Sequence, residues 1–241
     1  MLGETEGEAM TEEEWQAGED PTAMLDFLQC RTSDRKFRLL ACACCRPHAS
    51  AVGGPEAELA VTFAELQADG GQGDRELQVA LCALLRYPSP ESLGGAYQLY
   101  SGFVVALDTE RRTLAGALSC LAEAVGWNNQ PTSAVQSSES TPNEHDREAT
   151  ERERASQVTL LRDIFGNPFR PVSFAPAWRT ATALILARQM YESRDFSLMP
   201  ILADALQDAG CEDEQVLTHC RDAKQPHVRG CWVVDLVLDK E

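Results

Sequence analysis

Apolar residues recur every three or four positions along most of this chain, and almost nowhere do they alternate as they would in a half-buried strand. That period leaves helices as the main way to bury them. The punctuation agrees. Thr11 followed by Glu14 reads as a capping box, and Asp20-Pro21 as an N-cap with proline at the first helical position. The second of these launches a helix with Met24, Leu25 and Leu28 on one face. Ser33 or Asp34 starts a third, with Phe37, Leu40, Ala41, Cys44 and Cys45 at helical spacing, and Pro47 is expected to stop it.

The pattern continues. The stretch from Glu56 to Gly70 carries Leu59, Phe63 and Leu66, and residues 75–88 carry Leu77, Leu81, Leu84 and Leu85. Leu114, Leu118, Leu121 and Val125 form another stripe. Residues 101–108 (SGFVVALD) are the one place a strand fits, and their helical surroundings favour helix. Val158, Leu161, Ile164 and Phe165 end a helix whose first half is charged. Three prolines within NPFRPVSFAP predict an extended connection. Short helices follow, over AWRTATALILARQMYESR, PILADALQDAG, DEQVLTHCRD and the C-terminal HVRGCWVVDLVLDK. The expected fold is all-α, a multi-helix array with a compact C-terminal helical module.

The segment from Asn128 to about Glu144, NNQPTSAVQSSESTPNE, has no apolar period and is rich in Ser and Thr, so it reads as a flexible linker. The expected organisation is a disordered extension over 1–10, a helical region over 11–128, a linker over 129–144 and the C-terminal module over 145–241. With a formal net charge of −17, the chain repels phosphate backbones and anionic membrane surfaces, which argues against nucleic-acid and membrane partners. No apolar run reaches the roughly 20 residues of a membrane span. The acidic start has no secretory character and the nine cysteines are an odd number, so the reading is a cytoplasmic protein with reduced thiols.

Several of these segments together resemble a bacterial family that occurs as many paralogues and has no established activity. The residues that carry the likeness are MTEEEW, DPTAMLDFL, SDRKFRLLACACCR, LLRDIFGNPFRP, MPILADALQDAGC, HCR and HVRGCWVVDLVL. The resemblance covers both ends of the chain and implies no mechanism. It does imply that Met10 is the usual start, with the preceding residues an extension.

The chemistry-bearing residues cluster late. Cys211, His219, Cys220, His227 and Cys231 can all ligate a metal, and any four would complete a tetrahedral zinc site. Their spacing matches no zinc motif, and His219 and Cys220 stand about 100° apart on a helix, so at most one of them faces a shared ion. The favoured expectation is a metal-free packed corner, with the cysteines as small core residues and the histidines exposed or capping helix ends. Cys42, Cys44, Cys45 and His48 are read in the same way. A Cys–His catalytic pair, Cys220 or Cys231 with His219 or His227 and Asp204 or Asp235 orienting it, is the enzymatic alternative, but no catalytic motif supports it. No cofactor and no catalytic residue are expected.

Asp204 and Asp235 sit in apolar frames, so each is expected to pair with an arginine, the candidates being Arg170, Arg221 and Arg229. The basic run from Arg31 to Arg38 reads as a solvated helix face. The functional expectation is a non-enzymatic protein–protein interaction or adaptor module of the bacterial cytoplasm. The alternative is a Cys/His-dependent enzyme or zinc-binding protein with its site in the last third.

Overall fold

In a computed structural model, residues 10–29, 31–71, 75–77, 79–80, 114–128 and 144–240 are described, and among them every regular element is a helix. All but the last residue of the expected extension, residues 81–88 of the expected helix over 75–88, residues 101–108 and all but the last residue of the expected linker lie outside these residues. Met10, placed in the extension, packs partly buried against the first of two apolar cores. Glu144, placed in that linker, is already helical.

Helix α1 (Glu12–Ala17) begins with the expected capping box: Thr11 Oγ1 accepts from the Glu14 N–H and the Glu14 carboxylate accepts from the Thr11 N–H. Helix α2 (Pro21–Leu28) is capped by Asp20, whose side chain accepts from the Thr22 N–H. Helix α3 (Asp34–Cys45) follows Ser33. Pro47 does not end the path but sits in a 3-10 turn (Arg46–His48) that leads directly into α4 (Ala49–Ala68). The fourth helix therefore starts well before Glu56 and carries Pro55 inside it. Next come α5 (Leu114–Asn128) and α6 (Glu144–Phe165). After the proline-rich connection and a second 3-10 turn (Pro176–Trp178), α7 (Ala181–Ser193), α8 (Met199–Asp208), α9 (Glu214–Arg221) and α10 (Trp232–Leu238) complete the chain.

Two apolar cores result. The first gathers α2, α3, α4, α5 and the second half of α6, with Trp15 of α1 sealed at 2% exposure. Helices α3 and α4 touch in a part of this core that is rich in small side chains, Ala41, Cys42, Ala43, Cys44 and Cys45 from α3 and Ala57, Ala60, Val61 and Ala64 from α4. Small residues let the two backbones approach closely. This explains why Leu59 and Leu66 of the expected α4 stripe are exposed, while Phe63 packs partly buried against the core. The second core is built from α7 to α10, around Met190, Leu202, Leu206, Val216, Val234 and Val237.

Polar bonds lock the first core to the last third. The Trp15 indole N–H donates to the Gly166 carbonyl at 3.1 Å, and the Arg162 guanidinium donates to the carbonyls of Trp15 and Gly18. Arg35 and Lys36, expected on a solvated face, are instead drawn inward. Arg35 binds Asp69 and Asp235, and Lys36 Nζ donates to the Ile164 carbonyl at 2.7 Å. Arg38 donates to the Gln67 side chain. The run is basic because it supplies the cations of an internal network; Arg31 alone at its start is exposed along with Asp34.

Candidate metal centre

Asp163 lies on α6 between Leu161 and Ile164, all three with no accessible surface, so the helix buries a carboxylate within its apolar face. An isolated buried carboxylate is costly and requires partners. Helix α9, started by Asp213 accepting from the Gln215 and Val216 N–H groups, turns His219 toward it. The loop after α9 brings in His227, and Cys231 stands at the start of α10.

The donor atoms converge. His227 Nδ1 lies 2.8 Å from Asp163 Oδ1 and His219 Nε2 lies 3.2 Å from the same oxygen. His219 Nε2 is 3.2 Å from Cys231 Sγ, and Cys231 Sγ is 3.9 Å from His227 Nδ1. One donor atom from each of the four residues falls within a span of 4.8 Å. The other carboxylate oxygen, Oδ2, accepts from the Val228 N–H at 2.9 Å, which fixes Oδ1 toward the imidazoles. Burial by itself would raise the Asp163 pKa, but the hydrogen bonds from His219 and His227 outweigh it and hold the carboxyl below its usual range. Burial pushes the Cys231 thiol well above the ordinary cysteine value.

Backbone geometry supports the cluster. Gly230 has φ +97° just before Cys231, and a Cβ there would meet Leu39 Cδ1 at 2.9 Å. Only glycine lets the loop pass so close to α3 while delivering the cysteine. The His219 ring packs on Trp232 at 5.1 Å between centroids and edge-on against His227 at 4.8 Å.

Of the five ligand-capable residues expected from the sequence, His219, His227 and Cys231 meet. Cys220, next to His219, faces the second core with Cys211, as the 100° helical offset requires. His219 does lie in the last turn of α9, but both histidines turn inward rather than standing exposed, with side chains 12% and 7% exposed. Asp163 was not among the candidates. The reasoning applied to Asp204 and Asp235, an acid in an apolar frame, fits LLRDIF equally and would have found it. Cys42, Cys44 and Cys45 are buried in the first core, their thiols pushed up by burial. His48 pairs with Glu153 at 3.1 Å.

The expected ion pairs redistribute. Asp204 does pair with Arg221, at 2.9 Å, but at an exposed site. Asp235, 1% exposed, binds Arg35 and none of the three expected arginines. Arg229 instead meets Asp69 at 2.6 Å, and Arg170 meets Glu12 at 2.6 Å. No protein-family model, curated protein or solved structure matches the chain.

Proposed function

We propose that the protein is a zinc-binding helical module in which Asp163, His219, His227 and Cys231 hold one ion that staples α6 to the C-terminal helices. The carrying observation is the convergence of one carboxylate oxygen, two imidazole nitrogens and one thiol within 4.8 Å. Ligand distances of about 2.0–2.3 Å around a tetrahedral ion put neighbouring donors roughly 3.3–3.8 Å apart. The separations of 2.8–3.9 Å given above bracket that range. The donor set favours zinc: imidazole and thiolate are its usual protein ligands, and one carboxylate completes them. With Cys231 as thiolate and Asp163 ionised, two negative charges balance the divalent ion, so the filled site is neutral in a buried setting.

Four protein donors fill a tetrahedral sphere, which supports a structural role; a catalytic zinc keeps one position for water or substrate. Between the two functional expectations, an interaction module and a Cys/His metal protein, this geometry favours the second. The test is elemental analysis of protein purified without chelator, combined with thermal melting in excess EDTA. One zinc per chain and a lowered melting temperature on chelation are expected, and Asp163→Asn should reduce the stoichiometry below one. Metal-free protein that takes up no zinc on supplementation, with a melt indifferent to EDTA, would overturn the proposal.

A further inference from the structure

A groove of about 680 Å³, lined in part by Trp232, runs between the start of α3, the connection after α6 and helix α10. Its volume is in the range of small-ligand sites. Its charge runs against that of the molecule. In a chain of net charge −17, four cations line it (Arg31, Lys36, Arg170 and Lys240), and the single lining acid, Asp235, is already bound by Arg35. Lys36 donates to the Ile164 carbonyl at 2.7 Å and reaches Asp235 at 4.0 Å, and Lys240 pairs with Asp69 at 3.3 Å. Arg31 lies over the Phe27 ring at 4.4 Å, and no carboxylate among the described residues pairs with it. Arg170, paired with Glu12, is 64% exposed at the rim.

The groove wall also holds the amino end of α3, a twelve-residue helix. Its N-cap Ser33 makes no side-chain capping bond, and the buried Ser33 Oγ has no hydrogen-bond partner among the described residues. Asp34 follows but does not line the groove. Free amide donors and an unused hydroxyl at a helix amino end, flanked by Arg31 and Lys36, suit an anionic group. Phe165 and Trp232 supply adjoining apolar surface.

We infer that this groove binds a small organic anion, a phosphate or carboxylate on an apolar body, with the anionic head at Arg31, Ser33 and Lys36 and the body toward Trp232. None of these residues is a metal ligand, so the inference stands apart from the zinc reading. The test is an NMR titration of the zinc-supplemented full chain with phenyl phosphate, with inorganic phosphate and benzyl alcohol as comparisons. The Trp232 indole N–H and the amides around Ser33 shift together and saturably with phenyl phosphate, more weakly with inorganic phosphate and not with the neutral alcohol. Arg31→Gln weakens binding roughly tenfold, the scale of one charge-assisted contact. Ser33→Asp, which places a favourable capping residue at the N-cap, keeps or raises the melting temperature and the zinc content while abolishing binding. An absence of saturable shifts, equal shifts with benzyl alcohol, or affinity unchanged in both variants overturns the inference. Protein that takes up no zinc on supplementation yet binds phenyl phosphate normally supports the groove and counts only against the metal centre.

Discussion

Arg35 and Asp235 form a two-pronged ion pair across 200 positions of sequence, with Nη1 to Oδ2 at 2.7 Å and Nη2 to Oδ1 at 3.0 Å. The carboxylate is buried and the arginine side chain is 12% exposed. Removing one partner strands the other charge. Asp235→Ala is therefore expected to cost roughly 3–5 kcal/mol, and Asp235→Asn less, because part of the hydrogen bonding survives. Urea denaturation of both variants measures this, and midpoints equal to the parent would show that the pair contributes nothing.

A cobalt(II)-loaded sample reports the ligand set directly. Tetrahedral coordination with one thiolate gives intense visible bands and a sulfur-to-metal charge-transfer band. Cys231→Ser is expected to remove the charge-transfer band, whereas Cys220→Ser and Cys211→Ser leave it in place, since those two thiols lie in the second core. Persistence of the band in Cys231→Ser would remove Cys231 from the ligand set.

Acid sensitivity is expected to centre on Asp69. Burial alone would raise its pKa, but Tyr191, Arg229 and Arg35 donate to it and together hold the carboxyl down at about 2. A carboxyl depressed in the folded state stabilises above its unfolded pKa, near 4, and that contribution is lost as pH falls from about 4 toward 2. After allowance for solvent screening the contribution is about 1–2 kcal/mol. Asp69→Asn should flatten stability against pH in that window by this amount, and an unchanged acid slope would contradict it.

Gly230→Ala tests the loop that presents Cys231. The positive φ costs an L-residue about 1–2 kcal/mol, and the added methyl also presses on Leu39. Lower stability together with weaker zinc retention is the expected outcome, read by melting and by competition with a chromophoric chelator. A variant that melts and holds zinc like the parent would show that the approach to α3 relaxes freely.

The helical fold was legible because start signals are local: Thr11 with Glu14, Asp20 with Pro21 and Asp213 each carry their own capping bonds. The buried face of α4 was not, since alanines chosen for close approach look unremarkable beside Leu59 and Leu66. Three metal-site residues were visible as a late cluster of His and Cys. The fourth, Asp163, is marked as a buried acid by its apolar frame, but it stands 64 positions before His227 and no local rule links it to the cluster. Arginine pairing failed for the same reason. Asp235 has two of the expected arginines nearby in sequence, Arg221 and Arg229, yet its partner stands on α3.

The bonds between the first and last thirds bear on the order in which the molecule is made. Arg35 waits for Asp235, Asp69 for Arg229 and Glu65 for Arg194, and each of these second partners emerges from the ribosome well over a hundred residues later. Until then Arg35 and Asp69 have each other, and Glu65 has Arg46, but none of the three has the partner that the last third supplies in the finished protein. Contacts so distant in sequence make for slow closure, and a polypeptide interrupted before α10 exposes the very surface that α10 covers. Emergence of α10, rather than formation of the early helices, is then the event that lets these ion pairs close.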